Sequence, residues 1–73
     1  MNRIALLSSV ALIEDIPGRK LTKGQIGTVV EHLERDGEEA MLVEFCDSEG
    51  RTYAMADLSP AQLIVLHRKI EAA

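Results

Sequence analysis

The chain has 73 residues, which is enough for one domain and no more. Hydrophobic residues make up 47% of it, but Phe45 and Tyr53 are its only aromatic residues, so a core must rest mainly on Leu, Ile and Val. The formal net charge of −4 disfavours nucleic-acid binding, because nucleic-acid binders gain affinity by neutralising phosphates. A chain of this length can bury only a small core. It would gain stability from self-association or from a partner protein, and a homo-oligomer is one expectation.

The amino-terminal residues 1–13 combine one positive charge with an apolar run, which superficially resembles a signal peptide. Two serines interrupt that run, and its removal would also take away the first strand of a minimal domain. No stretch reaches the about 20 apolar residues that a membrane span requires. Cys46 is the only cysteine, so no internal disulfide can form, as is usual in a reducing compartment. We therefore expect a cytoplasmic protein without a membrane association.

The first strand is predicted over residues 10–14, with residues 4–7 as a short lead-in strand. A turn follows at residues 15–18, where Pro17 fixes φ and Gly18 permits a positive φ. The chain then continues as a long polar loop through residue 23.

Two glycines, Gly24 and Gly27, precede and enter a run of β-branched residues. Glycine suits a position that needs positive φ or a close backbone approach, and β-branched residues favour an extended backbone. The pattern predicts that both glycines are structural, that Gly27 lets the chain turn from loop to strand, and that the second strand covers residues 26–33.

The next connections read as two tight hairpins. Residues 35–38 contain Asp-Gly, the strongest short hairpin signal, and the third strand is predicted over residues 41–45. Residues 47–50 form the following turn, with Gly50 at the fourth position as in a type I turn closed by a bulge.

The register of the second hairpin follows from its turn. If Asp47 faces Arg51, counting outward places Phe45 opposite Tyr53. The same count places Val43 opposite Met55, and all four of these side chains then share the core face.

The last segment allows two interpretations. Residues 59–62 have the form of a capping box, with Ser as N-cap, Pro at the first helical position and Gln at the third. Apolar spacing at Leu63, Leu66 and Ile70 slightly favours a helix. The alternative is one helical turn followed by a short strand over residues 63–67.

This order of elements is that of a small SH3-like barrel, in an all-β fold with five strands and one 3-10 or helical turn before the last strand. We expect one domain over residues 1–73, with its folded part at about 7–67 and a tail at 68–73. The alternation of apolar residues predicts the members of the core. They are Leu12, Ile26, Val29, Val43, Phe45, Tyr53, Leu58 and Leu63.

Four blocks of the sequence also resemble a small bacterial family known as domain of unknown function 4926. They are VALIEDIP at 10–17, GQIGTVVE at 24–31, VEFCDSEGRTYA at 43–54 and LSPAQL at 58–63. The resemblance implies an SH3-like fold, which favours a turn plus strand in the last segment. Some members lie beside small toxin-like genes, which implies an antitoxin or immunity role.

Two further resemblances imply other partners. The chain is similar to the SH3-like subunit of the photosynthetic NADH dehydrogenase-like complex, which helps to dock ferredoxin. Residues 23–29 resemble the KOW element of ribosomal and transcription proteins, which implies RNA or ribosome contact.

No arrangement of reactive residues indicates catalysis. Cys46 with His32 or His67 lacks the spacing of a nucleophile and its base, and these three residues with scattered carboxylates form no local metal motif. Gly24 and Gly27 precede a strand and lack the Lys that follows in a phosphate-binding loop. We expect a non-catalytic binding module without cofactor or metal, whose partner is another protein.

The expected partner-binding surface lies on two loops, because binding residues commonly sit on loops held by a rigid scaffold. The loop over residues 15–23 is basic and the turn over residues 35–39 is acidic, a pairing that favours steering of a protein partner. The candidate residues are Arg19, Lys20, Lys23, Asp36, Glu38 and Glu39.

Overall fold

Five antiparallel strands form one sheet in the computed structural model, which describes residues 4–67. The strands are β1 Ser9–Leu12, β2 Ile26–Arg35, β3 Glu38–Cys46, β4 Thr52–Leu58 and β5 Leu63–Val65. Their order in the sheet is β4-β3-β2-β1-β5, so β4 and β5 are the end strands. The prediction of a mainly β domain is confirmed, and a 3-10 turn, Pro60–Gln62, precedes the last strand.

The β2–β3 hairpin is built on the Asp-Gly pair. Asp36 and Gly37 have φ values of +52° and +79°, the combination of a two-residue type I′ turn. Because so short a turn keeps its flanking residues within hydrogen-bonding reach, Arg35 pairs directly with Glu38. Strands β2 and β3 are therefore longer than predicted and reach the turn itself.

The capping pattern at residues 59–62 forms a single turn and no helix. The Gln62 side chain accepts a hydrogen bond from the Ser59 backbone N–H at 2.9 Å, as in a capping box. Leu63 then adopts extended angles, φ −130° and ψ 151°, because it pairs with Leu12 of β1. The helix expected from apolar spacing is wrong for residues 63–67, and the predicted tail at 68–73 lies outside the described residues.

The core occupies one face of the sheet, and no polar or charged residue is buried in the described part of the chain. Most of the predicted core residues are buried, and so is Leu21, which the long loop contributes. The buried apolar residues are Val10, Leu12, Leu21, Val29, Ala40, Met41, Val43, Phe45, Ala56, Leu58 and Leu63. The predictions for Ile26 and Tyr53 are wrong, since these side chains are 56% and 49% exposed.

A bulge in β4 accounts for the exposure of Tyr53. The turn begins as predicted, with the Asp47 N–H donating to the Arg51 carbonyl at 2.8 Å. The register then shifts between Phe45 and Cys46, so Phe45 faces Ala54 and not Tyr53. One extra residue on a strand moves every following side chain to the other face.

The same shift corrects the predicted pairing of Val43 with Met55. Val43 faces Ala56, and Met55 faces Glu44 on the side away from the core. Ala54 and Ala56 of β4 therefore lie opposite Phe45 and Val43 of β3. Because the alanines are small, the side chains of Phe45 and Val43 fill this part of the core.

Gly27 accounts for the exposure of Ile26. Gly27 is buried within β2 and pairs with Phe45, so Ile26 points to the opposite face. A Cβ at Gly27 would lie 2.6 Å from Val43 Cγ1 and 2.9 Å from the Glu44 carbonyl oxygen. The expectation that Gly27 forms the turn into the strand is wrong: Gly24, with φ +94°, has the turn conformation.

The first strand is shorter than predicted. Strand β1 ends at Leu12, and residues 4–7 form no strand. Leu7 has a φ of +69°, and its N–H donates to the Val29 carbonyl at 2.7 Å, so this segment turns before β1 begins.

The stability of the fold is predicted to depend on Phe45 far more than on Ile26. Phe45→Ala should lower the free energy of unfolding by about 3–5 kcal/mol, because it empties the centre of a thin core. Ile26→Ala should lower it by less than about 1 kcal/mol, because the side chain is exposed. Urea denaturation of both variants tests this, and similar losses would contradict the assigned register.

Replacement of Gly50 and replacement of Gly27 should destabilise the fold for different reasons. Gly50→Ala should destabilise by about 1–2 kcal/mol because Gly50 has φ +82°, and Gly50→Asn should recover part of that loss. Gly27→Ala should destabilise by about 1–3 kcal/mol because the new Cβ meets backbone, and Gly27→Asn should be no better. Thermal and urea unfolding measure the four variants. Rescue by Asn at both sites would refute the steric account of Gly27.

Candidate functional site

The long loop between β1 and β2 is held in shape by its own hydrogen bonds. Ile16 and Leu21 form an isolated bridge, in which the Ile16 N–H donates to the Leu21 carbonyl at 2.9 Å. The Asp15 carboxylate accepts from the Lys23 N–H at 2.8 Å, and Leu21 is buried in the core. The loop is therefore closed at its base and presents its tip, residues 17–20, to solvent.

Arg19 at the tip of this loop reaches across to strand β4. Its Nη2 atom donates a hydrogen bond to the Met55 carbonyl oxygen at 2.8 Å. Strand β4 is an end strand, and such a strand presents backbone groups that no neighbouring strand can satisfy. The guanidinium thus satisfies an edge carbonyl and fixes the loop tip beside β4.

Tyr53 lies next to this contact and is anchored at both ends. Its ring packs against the buried Phe45 ring, with centroids 6.5 Å apart and planes tilted by 44°. Its hydroxyl accepts a hydrogen bond from Gln25 Nε2 at 3.0 Å, and Gln25 lies at the end of the same long loop. The half-exposed tyrosine is therefore held in a defined position.

The β2–β3 hairpin also contacts β4. Arg35, the residue before its turn, forms an ion pair with Asp57. Asp57 and Met55 are two residues apart in β4, so their side chains share a face. Loop and hairpin therefore meet on one strand, and we call Arg19, Arg35, Tyr53, Met55 and Asp57 the β4 surface. All five side chains are exposed, Met55 to 43%.

The basic loop and the acidic turn predicted from the sequence do not pair with each other. Within the described residues, neither Arg19 nor Lys23 forms an ion pair with an acidic residue of the turn. The loop precedes β2 and the hairpin turn follows it. The ten residues of β2 span about 30 Å. Lys20, with φ +58°, and Lys23 are exposed in the loop. Asp36 and Glu38 are exposed at the hairpin, whereas Glu39 is half-buried.

The residues considered for catalysis have other contacts. His32 Nε2 is hydrogen-bonded to the Ile4 carbonyl at 2.6 Å, which ties the amino-terminal segment to β2. Cys46 is exposed, with Sγ 3.9 Å from Glu44 Oε1 and 3.7 Å from Thr52 Oγ1. Within residues 4–67 no group of three or more His, Cys, Asp or Glu side chains is arranged to hold a metal ion.

Sequence reasoning missed three members of the β4 surface. It assigned Tyr53 and Met55 to the core side and gave Asp57 no role, whereas Arg35 lies within the turn that was predicted to belong to the binding surface. A bulge beside a type I turn is a known combination, and Ala54 and Ala56 alternate with Tyr53 and Met55 in the sequence. Both signals were present, but neither selects the register by itself.

Comparison with known proteins assigns the chain to a family. Residues 6–65 match the family described as a domain of unknown function (DUF4926). The chain belongs to this family. The match extends over all five strands and both contacts with β4, so the DUF4926 unit includes the whole sheet. No curated protein and no solved structure matches the chain significantly.

In the part of the chain that the structure describes, no helix has the length and apolar character needed to cross a bilayer.

The contact of Arg19 with Met55 should order the loop tip more than it stabilises the fold. Arg19→Ala removes an exposed hydrogen bond, so the free energy of unfolding should fall by no more than about 1.5 kcal/mol. The backbone order parameters of residues 17–20 should fall clearly, whereas those of the 47–51 turn should not change. NMR relaxation of the variant and wild type measures both. An equally rigid tip without Arg19 would show that the contact does not hold the loop.

Proposed function

We propose that this protein is a non-catalytic protein-binding module whose partner docks on the β4 surface. The observation that carries the proposal is the hydrogen bond from Arg19 to Met55, because it places the basic loop tip beside an exposed tyrosine and methionine on an end strand. Loop and strand then offer one continuous surface to a partner.

The composition of this surface supports the proposal. Tyr, Met and Arg are enriched at protein interfaces, and Tyr and Arg are enriched among the residues that contribute most binding energy. Tyr53 is held by Gln25 and Phe45, and Arg19 is held by a backbone carbonyl. Such side chains lose little conformational entropy on binding, so more of the contact energy appears as affinity.

The charges suggest the chemistry of the partner. Lys20 and Lys23 extend the basic character of the loop on a chain whose net charge is −4. A partner with an acidic patch near the loop would be steered towards it and aligned by it. The proposal includes the antitoxin or immunity role that the family resemblance implies, in which the partner is a small toxin of the same bacterial cytoplasm.

Two alternatives are less well supported. An RNA or ribosome contact gains affinity from cations that neutralise phosphates, yet the whole chain has a net charge of −4. Docking of ferredoxin, itself an electron carrier, would also be protein binding and would fall under the same test.

The test compares the proteins captured by four forms of the tagged chain from lysate of the source organism. We expect wild type to enrich at least one protein, and both Arg19→Glu/Lys20→Glu and Tyr53→Ser to reduce its recovery at least tenfold. Arg51→Glu is the matched control for charge reversal, since Arg51 is an exposed arginine outside the β4 surface that contacts carboxylates of its own 47–51 turn. Recovery with this variant should stay within twofold of wild type.

Melting curves of all four forms separate lost binding from lost folding. Equal capture by folded wild type and both β4-surface variants would remove the β4 surface as the docking site. Capture that disappears on nuclease treatment would instead favour the RNA-contacting alternative.

A further inference from the structure

A second exposed apolar surface lies on the face of the sheet opposite the core. Ala11 of β1 pairs with Ile26 of β2 on one side and with Ile64 of β5 on the other. Ile13 lies two residues after Ala11, and its N–H donates to the Gln62 carbonyl at 3.0 Å, which continues the contact of β1 with β5. We call Ala11, Ile13, Ile26 and Ile64 the isoleucine face.

These isoleucines are unusually accessible for their residue type. Ile13 and Ile64 are 44% and 54% exposed, similar to Ile26 in the same row. Isoleucine is among the residues most often buried, and adjacent exposed apolar side chains mark interaction sites more often than isolated ones do. The core does not explain them, because the alternation of each strand already supplies buried residues on the other face.

Two carboxylates lie close to this row in the sheet or in the chain. Glu44 lies on the outer face, where it pairs with Thr28, two residues beyond Ile26. Glu14 follows Ile13, and its Oε2 atom accepts from Gln62 Nε2 at 3.3 Å. Within residues 4–67 neither glutamate forms an ion pair, so both negative charges remain uncompensated by a described cation.

We propose that the isoleucine face is a second docking surface, whose occupant is a basic amphipathic segment of another protein. Apolar side chains of that segment would cover Ile13, Ile26 and Ile64, and its Lys or Arg side chains would face Glu14 and Glu44. A helix with one apolar and one basic face has this chemistry. A second copy of the chain fits less well, because a symmetric contact would bring two acidic rims together.

The isoleucine face shares no residue with the β4 surface. Both lie on the outer side of the sheet, where Glu44 of β3 stands between Thr28 of β2 and Met55 of β4. The inference therefore goes beyond the proposed function and does not depend on it.

The test uses two synthetic helical peptides of equal length with leucine on one face. The other face carries lysine in the probe peptide and glutamate in its control. Calorimetry and NMR titration of the full chain should show binding of the lysine peptide, with amide shifts concentrated in β1, the start of β2 and β5. The glutamate peptide should bind at least tenfold more weakly.

Variants of the chain locate the binding. Ile26→Ser/Ile64→Ser should weaken the lysine peptide at least tenfold, and Glu44→Gln about threefold or more. Glu38→Gln is the matched control for Glu44→Gln, an exposed glutamate at the other end of β3, and should leave affinity within twofold. Ile26→Thr/Ile64→Thr keeps the β-branched shape and provides a second test if the serine variant fails to fold.

Three results would overturn the proposal. Equal binding of both peptides would show that charge plays no part, and unchanged affinity in the folded double variants would place the peptide elsewhere. A dimer in sedimentation analysis that the isoleucine substitutions abolish would assign the face to a second copy of the chain. Unchanged peptide binding by Arg19→Glu/Lys20→Glu is expected, and it keeps this test separate from that of the β4 surface.

Discussion

The packing of Phe45 between two small residues is the constraint on which the rest of the structure depends. Phe45 is fully buried in β3, with Gly27 opposite it on β2 and Ala54 opposite it on β4. A Cβ at Gly27 would lie 3.0 Å from Phe45 Cδ2, so the ring occupies volume that a side chain at this position would need. Val43 also faces an alanine on β4, Ala56, whereas its partner on β2 is the buried Val29.

Both candidate surfaces are consequences of that packing. Since Ala54 takes the position opposite Phe45, the bulge leaves Tyr53 at the margin of the core, where Gln25 and the Phe45 ring hold it. Since Gly27 takes the core-facing position of β2, Ile26 faces outward and joins Ile64 across Ala11. A domain with so few aromatic residues thus places large side chains outside its core as a result of how the core is filled.

The proposed binding role rests on how the connections attach to the sheet. Closed hydrogen bonding at the base of the long loop, together with the contact of Arg19 with Met55, gives the loop tip a fixed position on an end strand. Arg35 attaches the hairpin to the same strand through Asp57. The sequence indicated that the basic loop and the hairpin carry charge, but it could not indicate that their arginines converge on β4. Those contacts join residues 36 and 22 positions apart, which no local pattern encodes.

The sequence by itself determined the elements whose causes are local. The positive φ of Asp36 and Gly37 belongs to the Asp-Gly pair, the turn at residues 59–62 belongs to its capping residues, and apolar alternation placed Phe45 and Val43 inside. Only the tertiary structure decided which side of β4 faces the core and whether the last segment continues as a helix. A single bulge residue reverses every side chain that follows it, and pairing with Leu12 makes Leu63 extended. These choices depend on partners distant in the chain, so the two exposed surfaces became visible only once the strands were paired.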